Sequence, residues 1–311
     1  MTLNRRSFLH SLTALSSVPV WAAHAVAPTP LKARSSISCN SYSWLTFYQR
    51  QGKTWMADPD ASLAELVESG LTTYEPGVNT PDEVRKLIPL LQKYKVSMPS
   101  LYVNSTLHRP DEAQQSIDSV LAIAEAAHPA NTTFFITNPS PIKWGSPDDK
   151  TDADLSEQAR NLDRLGSELR KRGITLAYHT HAPEHRQAAR EFHHMLLATD
   201  PKNVSLCLDA HWVYRGSGNS QVALFDIVKL YGKRIVEVHI RQSRDGVWQE
   251  TFGEGDIDYR RLAADLKTLG IRPHLVLEQC LEKGSPNTVN AVEAHKQDVA
   301  YANKVFADLL S

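Results

Sequence analysis

The chain is poor in several things that would have assigned it elsewhere. It has three cysteines in 311 residues, too few and too scattered for a disulfide framework. Cys39, Cys207 and Cys280 each fall in a strand-like run, where a free thiol behaves as a small buried hydrophobe. Their odd number and wide spacing argue against a required bridge. No apolar run approaches the ~20 residues a membrane helix needs, so no membrane span is expected in the mature chain. Charge is nearly balanced, at a formal −1, and no Lys/Arg run follows the first few residues. Nucleic-acid binding needs a concentrated basic surface, and that partner class is excluded on charge. No Gly-x-Gly-x-x-Gly turn follows the first strand, and no internal repeat or low-complexity linker marks a second domain.

At the N-terminus, Asn4-Arg5-Arg6-Ser7-Phe8-Leu9 precedes a modestly apolar, Ser/Thr-rich run to about Val20, and Ala23-His24-Ala25 forms a small-x-small cleavage site. Residues 1–25 therefore have the form of a signal peptide, and the paired arginines before Ser-Phe-Leu are similar to a twin-arginine signal. The expected location is the periplasm. Cleavage removes Arg5 and Arg6, leaving 32 basic against 35 acidic residues. Residues 26–36 form a short leader, and the domain spans 37–311.

From Ser35 onward, β-forming apolar runs alternate with amphipathic helical stretches. Strands are predicted at Ile37–Asn40, Thr72–Pro76, Val96–Asn104, Thr132–Thr137, Ile174–His181, Val204–His211, Ile235–Arg241 and Leu275–Cys280. Helical stretches lie between them, at Ala61–Ser69, Asp82–Lys93, Pro110–Ala127, Asp152–Arg172, Gln187–Ala198, Gln221–Tyr231 and Tyr259–Leu269, with a last one over Thr288–Leu310. In one of them Leu155, Leu162, Leu165 and Leu169 recur at helical spacing. Gly70, Gly173 and Gly270 each close a helical run ahead of a strand. Eight strands alternating with eight helices imply an α/β fold with a parallel sheet, most economically one closed (β/α)8 TIM barrel. A doubly wound open sheet is the alternative. Two connections are longer than usual. Tyr42–Asp58, with Trp44 among five aromatics, and Asn138–Lys150, with Lys143 and Trp144, are read as loops on the catalytic face, serving as platforms for sugar rings or as packed lids.

Four strand ends carry the chemistry: His179, Asp209, His239 and Glu278. Strand residues two apart share a face, which pairs His179 with His181, Asp209 with His211, His239 with Arg241, and Glu278 with Cys280. Each residue alone has an ordinary structural use. Two imidazoles and two carboxylates converging on one point form a mixed N/O site suited to Mn²⁺, Zn²⁺, Co²⁺ or Fe²⁺ rather than Ca²⁺.

Tyr178-His179-Thr180-His181 resembles the Tyr-His-Asn-His motif of the xylose-isomerase-like TIM barrels, often labelled sugar phosphate isomerases/epimerases. Cys207-Leu208-Asp209, Val238-His239-Ile240-Arg241, Leu277-Glu278-Gln279 and Gly253-Glu254-Gly255-Asp256-Ile257-Asp258 resemble further motifs of that family. The resemblance runs from about Ile37 to Leu310 and is densest from Ile174 onward. It implies that His179, Asp209, His239 and Glu278 are the metal ligands. Many relatives have Glu at the His179 position, so the two-glutamate arrangement for epimerisation is broken here. Arg241 and Gln242 stand where the family has Lys and Asp, so substrate contacts differ as well.

The implied chemistry is carbohydrate metabolism: proton abstraction α to the carbonyl of a sugar or polyol, through an enediolate, by a metal-dependent isomerase or epimerase. His181, Glu184, Glu75 and Glu278 are the candidate proton carriers, with Glu75 alternatively contacting a substrate hydroxyl or forming a plain salt bridge. Arg241 holds substrate oxygen or an ion pair, and Asp258 is an N-cap. Loss of a β-substituent instead gives a lyase, as in the dehydratases and keto-glycoside-cleaving relatives. A non-catalytic periplasmic sugar-binding barrel and a metallo-endonuclease are the other classes; the latter requires a basic face that is absent. With no phosphate-binding signature, a non-phosphorylated sugar is expected, and a homo-oligomer is compatible with the sequence.

Overall fold

The computed structural model describes residues 37–311; the proposed signal peptide and leader lie outside them. Nine parallel strands form one sheet in the order β2-β1-β11-β8-β7-β6-β5-β4-β3. The first three are β1 (Ser38–Asn40), β2 (Tyr74–Glu75) and β3 (Gly77–Val78). β2 and β3 are consecutive pieces of one extended segment interrupted at Pro76, which has no N–H to donate. β2 pairs with β1, while β3 pairs with β4 (Ser100–Ser105). That segment is one stave, so eight staves ring the barrel, as the alternation of strands and helices predicts. The remaining staves are β5 (Phe134–Pro139), β6 (Thr175–Tyr178), β7 (Val204–Asp209), β8 (Ile235–Ile240) and β11 (His274–Leu277).

The helices cover the outside, and several begin where capping chemistry places them. Thr151 and Asp154 form a reciprocal capping box at the start of a helix over Asp152–Arg170, and Asp258 accepts the Arg261 N–H at 2.9 Å. Asp258 is therefore an N-cap. All three cysteines are buried and free. Among the described residues, no helix is long and apolar enough to cross a membrane.

The structure differs from the sequence reading in three connections. Tyr42–Asp58 is not a loop throughout, because α1 (Ser41–Arg50) forms directly after β1, capped by the Asn40 side chain. Helical spacing puts Trp44, Phe47 and Tyr48 on one buried face, where Trp44 stacks on His295 at 4.1 Å and on Trp55 at 4.8 Å. These rings pack the core and are not a sugar platform. A second short helix, α7 (Ala210–Gly216), begins immediately after Asp209. A hairpin of β9 (Ser243–Arg244) and β10 (Val247–Trp248) follows β8.

Candidate metal centre

β6, β7, β8 and β11 are neighbours in the ring, and their register brings four side chains to one level. Asp209 lies opposite His239, His179 N donates to Thr137 O just beyond β6, and Glu278 N donates to Ile240 O just beyond β11. One donor atom from each of His179, Asp209, His239 and Glu278 lies within 4.8 Å of the others. His179 and His239 are fully buried, and Asp209 and Glu278 are at most 6% exposed. His179 Nε2 is 3.4 Å from Asp209 Oδ2, and His239 Nδ1 is 3.5 Å from Glu278 Oε2. Both His179 nitrogens and His239 Nδ1 are buried without a hydrogen-bond partner. Buried polar atoms are normally satisfied, so orphaned nitrogens facing two carboxylates fit a divalent cation.

The protonation of His179 and Glu278 suits that use, whereas His239, held well above its usual pKa against burial by Cys207 and Glu75, and Asp209 would each give up a proton to a bound cation. Burial first, and then the adjacent His239, lower the His179 pKa to about 3, so it is a neutral imidazole. Burial opposes ionisation of Glu278, but the Arg241 guanidinium and then His239 outweigh it and hold the carboxyl well below its usual range. Burial raises Asp209 to about 7, against the pull of Arg241.

Beneath the cluster lies a second set of acids. His239 Nε2 is 3.1 Å from Glu237 Oε1 and 3.2 Å from Glu75 Oε1. Glu75 also accepts from Asn40 Nδ2 at 2.5 Å and from the Ser100 hydroxyl. Burial and the neighbouring Glu75 push Glu237 up to about 8; Glu75 itself falls to about 2, the charge of His239 overcoming burial. This arrangement fixes the ring of His239 and turns Nδ1 toward Glu278, the usual way a ligating histidine is oriented. Glu75 is thus behind the site and contacts His239.

A cavity of about 750 Å³ opens above the cluster, within the roughly 300–1,000 Å³ of small-molecule sites. Its walls include Tyr42, Tyr102, Trp144, Trp212, His181 and Glu278. His181 stands 4.9 Å from His179 between ring centroids, and burial, followed by His179, lowers it to about 3. Trp144, 54% exposed, meets His181 edge-on at 5.1 Å. Every arginine at or beside the cavity is committed to a carboxylate: Arg186 to Asp149 at 2.7 Å, Arg215 to Glu282 at 2.9 Å, and Arg241 to Glu278 at 2.6 Å.

Other expected residues lie off the cavity wall. Glu184 accepts the His181 N–H at 2.7 Å and the Asn138 amide at 3.2 Å, so its carboxylate braces the loop beneath His181. Burial, then Glu191, raises it to about 7. His211 belongs to α7, is buried, and pairs through Nε2 with the Ser243 hydroxyl at 3.0 Å. Lys143 is exposed and Trp44 is in the core. The sequence reading overlooked Glu237, although period-two alternation in Ile-Val-Glu-Val-His puts it on the face of His239. It also overlooked Tyr102 and Trp212 as wall residues.

A family model described as xylose isomerase-like TIM barrel matches residues 63–304, and the chain belongs to that family. The inosose dehydratase of Mesomycoplasma hyopneumoniae (strain J) is 23% identical over 274 residues, covering 80% of this chain and 89% of that protein. Among solved structures, an L-ribulose 3-epimerase superposes with TM-score 0.67 at 13% identity, covering 88% of this chain and 95% of that one. The IOLI protein, solved with a bound zinc atom, superposes at 0.63 and 15% identity over 88% and 99%. The proteins this chain is similar to thus include a sugar epimerase, by fold, and a dehydratase, by sequence.

Proposed function

We propose that the protein is a divalent-metal-dependent sugar isomerase or epimerase, removing the proton α to the carbonyl of a non-phosphorylated sugar or polyol. The observation that carries this reading is the buried His179–Asp209–His239–Glu278 cluster at the floor of an aromatic-walled cavity. A divalent cation held by those four residues would supply Lewis-acid polarisation of the carbonyl. The bound zinc of the IOLI structure and the epimerase among the neighbours support the same reading. Tyr42, Trp144 and Trp212 present apolar faces for a sugar ring. His181 is the imidazole on the cavity wall and is the proposed base, taking the proton on a ring nitrogen. Among the described residues, the arginines at the cavity are all paired with carboxylates, which favours a neutral substrate over a phosphorylated one. We further place the activity in the periplasm on the strength of the Arg5-Arg6 signal peptide, which export assays of an Arg5-Arg6→Lys-Lys variant test.

Elimination is the second reading, favoured by one observation. The wall offers a single neutral imidazole, with Glu278 tied to Arg241, and one base suffices to remove the α-proton and then protonate a departing β-hydroxyl. The kinship with inosose dehydratase supports it as well. Incubation with Mn²⁺, Zn²⁺ or Co²⁺ and a panel of free and keto sugars in D₂O, followed by NMR, tests both. Deuterium at the α-carbon is expected, with isomer or epimer as product; loss of water identifies the lyase. No exchange with any metal, or turnover of phosphorylated sugars alone, overturns the proposal.

A further inference from the structure

The cluster holds a cation of its own. Arg241 Nη2 lies 2.6 Å from Glu278 Oε2 and 3.2 Å from Asp209 Oδ2. These are the oxygens that face the two histidines, Asp209 Oδ2 toward His179 and Glu278 Oε2 toward His239. The guanidinium is anchored from behind, with Nε donating to Glu278 O at 3.0 Å. It is flanked by the Trp248 ring at 4.3 Å and the Trp212 ring at 5.2 Å. Its Nη1 is buried and has no partner.

We propose that Arg241 is a resident counter-cation that contends with the divalent metal for the Asp209 and Glu278 oxygens and so sets the affinity of the site. This rests on the metal reading of the same four residues. Arginine stays charged at any working pH, so the competition cannot be relieved by losing a proton. A metal entering the cluster must share or displace the guanidinium, and two cations against the same pair of carboxylates repel. The planar fork bridges both oxygens and stacks on indoles in a way an ammonium cannot. Without metal, the same contact leaves neither carboxylate buried and unpaired, a state that is otherwise strongly destabilising. Arg241 therefore keeps the empty site folded while weakening its grip on the ion.

Calorimetric titration of Mn²⁺ into the metal-free wild type, Arg241→Met and Arg241→Lys tests this, with melting temperatures recorded with and without metal. Arg241→Met should bind Mn²⁺ more tightly by roughly tenfold or more, melt lower than wild type when metal-free, and show the larger metal-induced rise in melting temperature. Arg241→Lys should fall between the two. Affinity in both variants equal to or weaker than wild type overturns the counter-cation and leaves the metal reading standing. Failure of all three proteins to bind Mn²⁺ overturns both. If Arg241→Met does not fold, the lysine variant decides alone: tighter binding than wild type supports the proposal, and equal or weaker binding overturns it.

Discussion

At the scale of single residues, we assign some groups to hold a cation and others to move a proton or orient a ligand. His181 lines the cavity, whereas His179 lies in the cluster below it. His181→Ala should lower turnover by about 10²–10⁴-fold while the metal dissociation constant, measured by titration, stays unchanged. A large loss of metal affinity would instead make His181 a ligand. Glu237 reaches the cluster through the ring of His239, so Glu237→Leu, which removes that hydrogen-bond partner, should weaken metal binding by about 10–100-fold with the fold intact by circular dichroism. Unaltered affinity would show that Glu75 alone orients His239. The convergence of His179, Asp209, His239 and Glu278 was legible in the sequence because strand alternation and strand-end placement are both written in residue order. Glu184 was misleading for a physical reason. A carboxylate three residues after His181 can fold back to cap its N–H, and spacing does not reveal whether it points into the cavity or into the loop.

At the scale of elements, the loops after the strands decide what reaches the cavity. Gly255 passes so close to the end of β8 that an added Cβ would stand 2.2 Å from Ser243 O and 2.6 Å from the Gln242 side chain. One residue on, Asp256 accepts from the Ser243 hydroxyl at 2.6 Å and from the Asp245 and Gly246 N–H groups at 2.9 Å, pinning the β9–β10 hairpin that carries Trp248. Gly255→Ala should destabilise the protein by roughly 1–3 kcal/mol, seen as a lower denaturant midpoint. An unchanged midpoint would mean that the loop shifts freely. The helices over Pro110–Ala127 and Gln221–Tyr231 were predicted to the residue. The helix over Ser41–Arg50 was not, since its four aromatics read as loop chemistry, and only packing against the helix over Ala291–Val305, which carries His295, shows which face is buried.

At the scale of the whole molecule, so many buried titratable groups make stability depend on pH in both directions. His179, His181 and His185 are lowered to about 3, His211 to about 2, and His274 and His295 to about 4, in each case first by burial. They stay neutral in the fold while the unfolded chain takes up protons below about pH 6.5, so they favour unfolding as the pH falls. Asp209 and Glu184, raised to about 7, and Glu237, raised to about 8, hold protons that the unfolded chain has already released, and their contribution is lost as the pH rises through those values. Metal-free protein should therefore be most stable near about pH 6.5, with the histidines dominating the acid side. Saturating metal, which requires Asp209 ionised, should lift the alkaline side. Melting temperatures from pH 4.5 to 8.5 check this, and a monotonic rise with pH would contradict it.

The family, the barrel and the four converging strand ends could be read from the sequence, because each is carried by periodicity and short motifs. The contact of Glu75 with His239 and the guanidinium between the carboxylates could not, since both depend on side chains meeting across strands 30 or more residues apart; Glu237, two residues before His239 on the same strand, was within reach of alternation and was overlooked. The central claim is that one divalent cation sits among His179, Asp209, His239 and Glu278. Anomalous diffraction from crystals grown with Mn²⁺ tests it directly. A single peak roughly 2.0–2.2 Å from the donor atoms of those four residues is the result expected. A peak elsewhere, or none at saturating metal, would contradict the account.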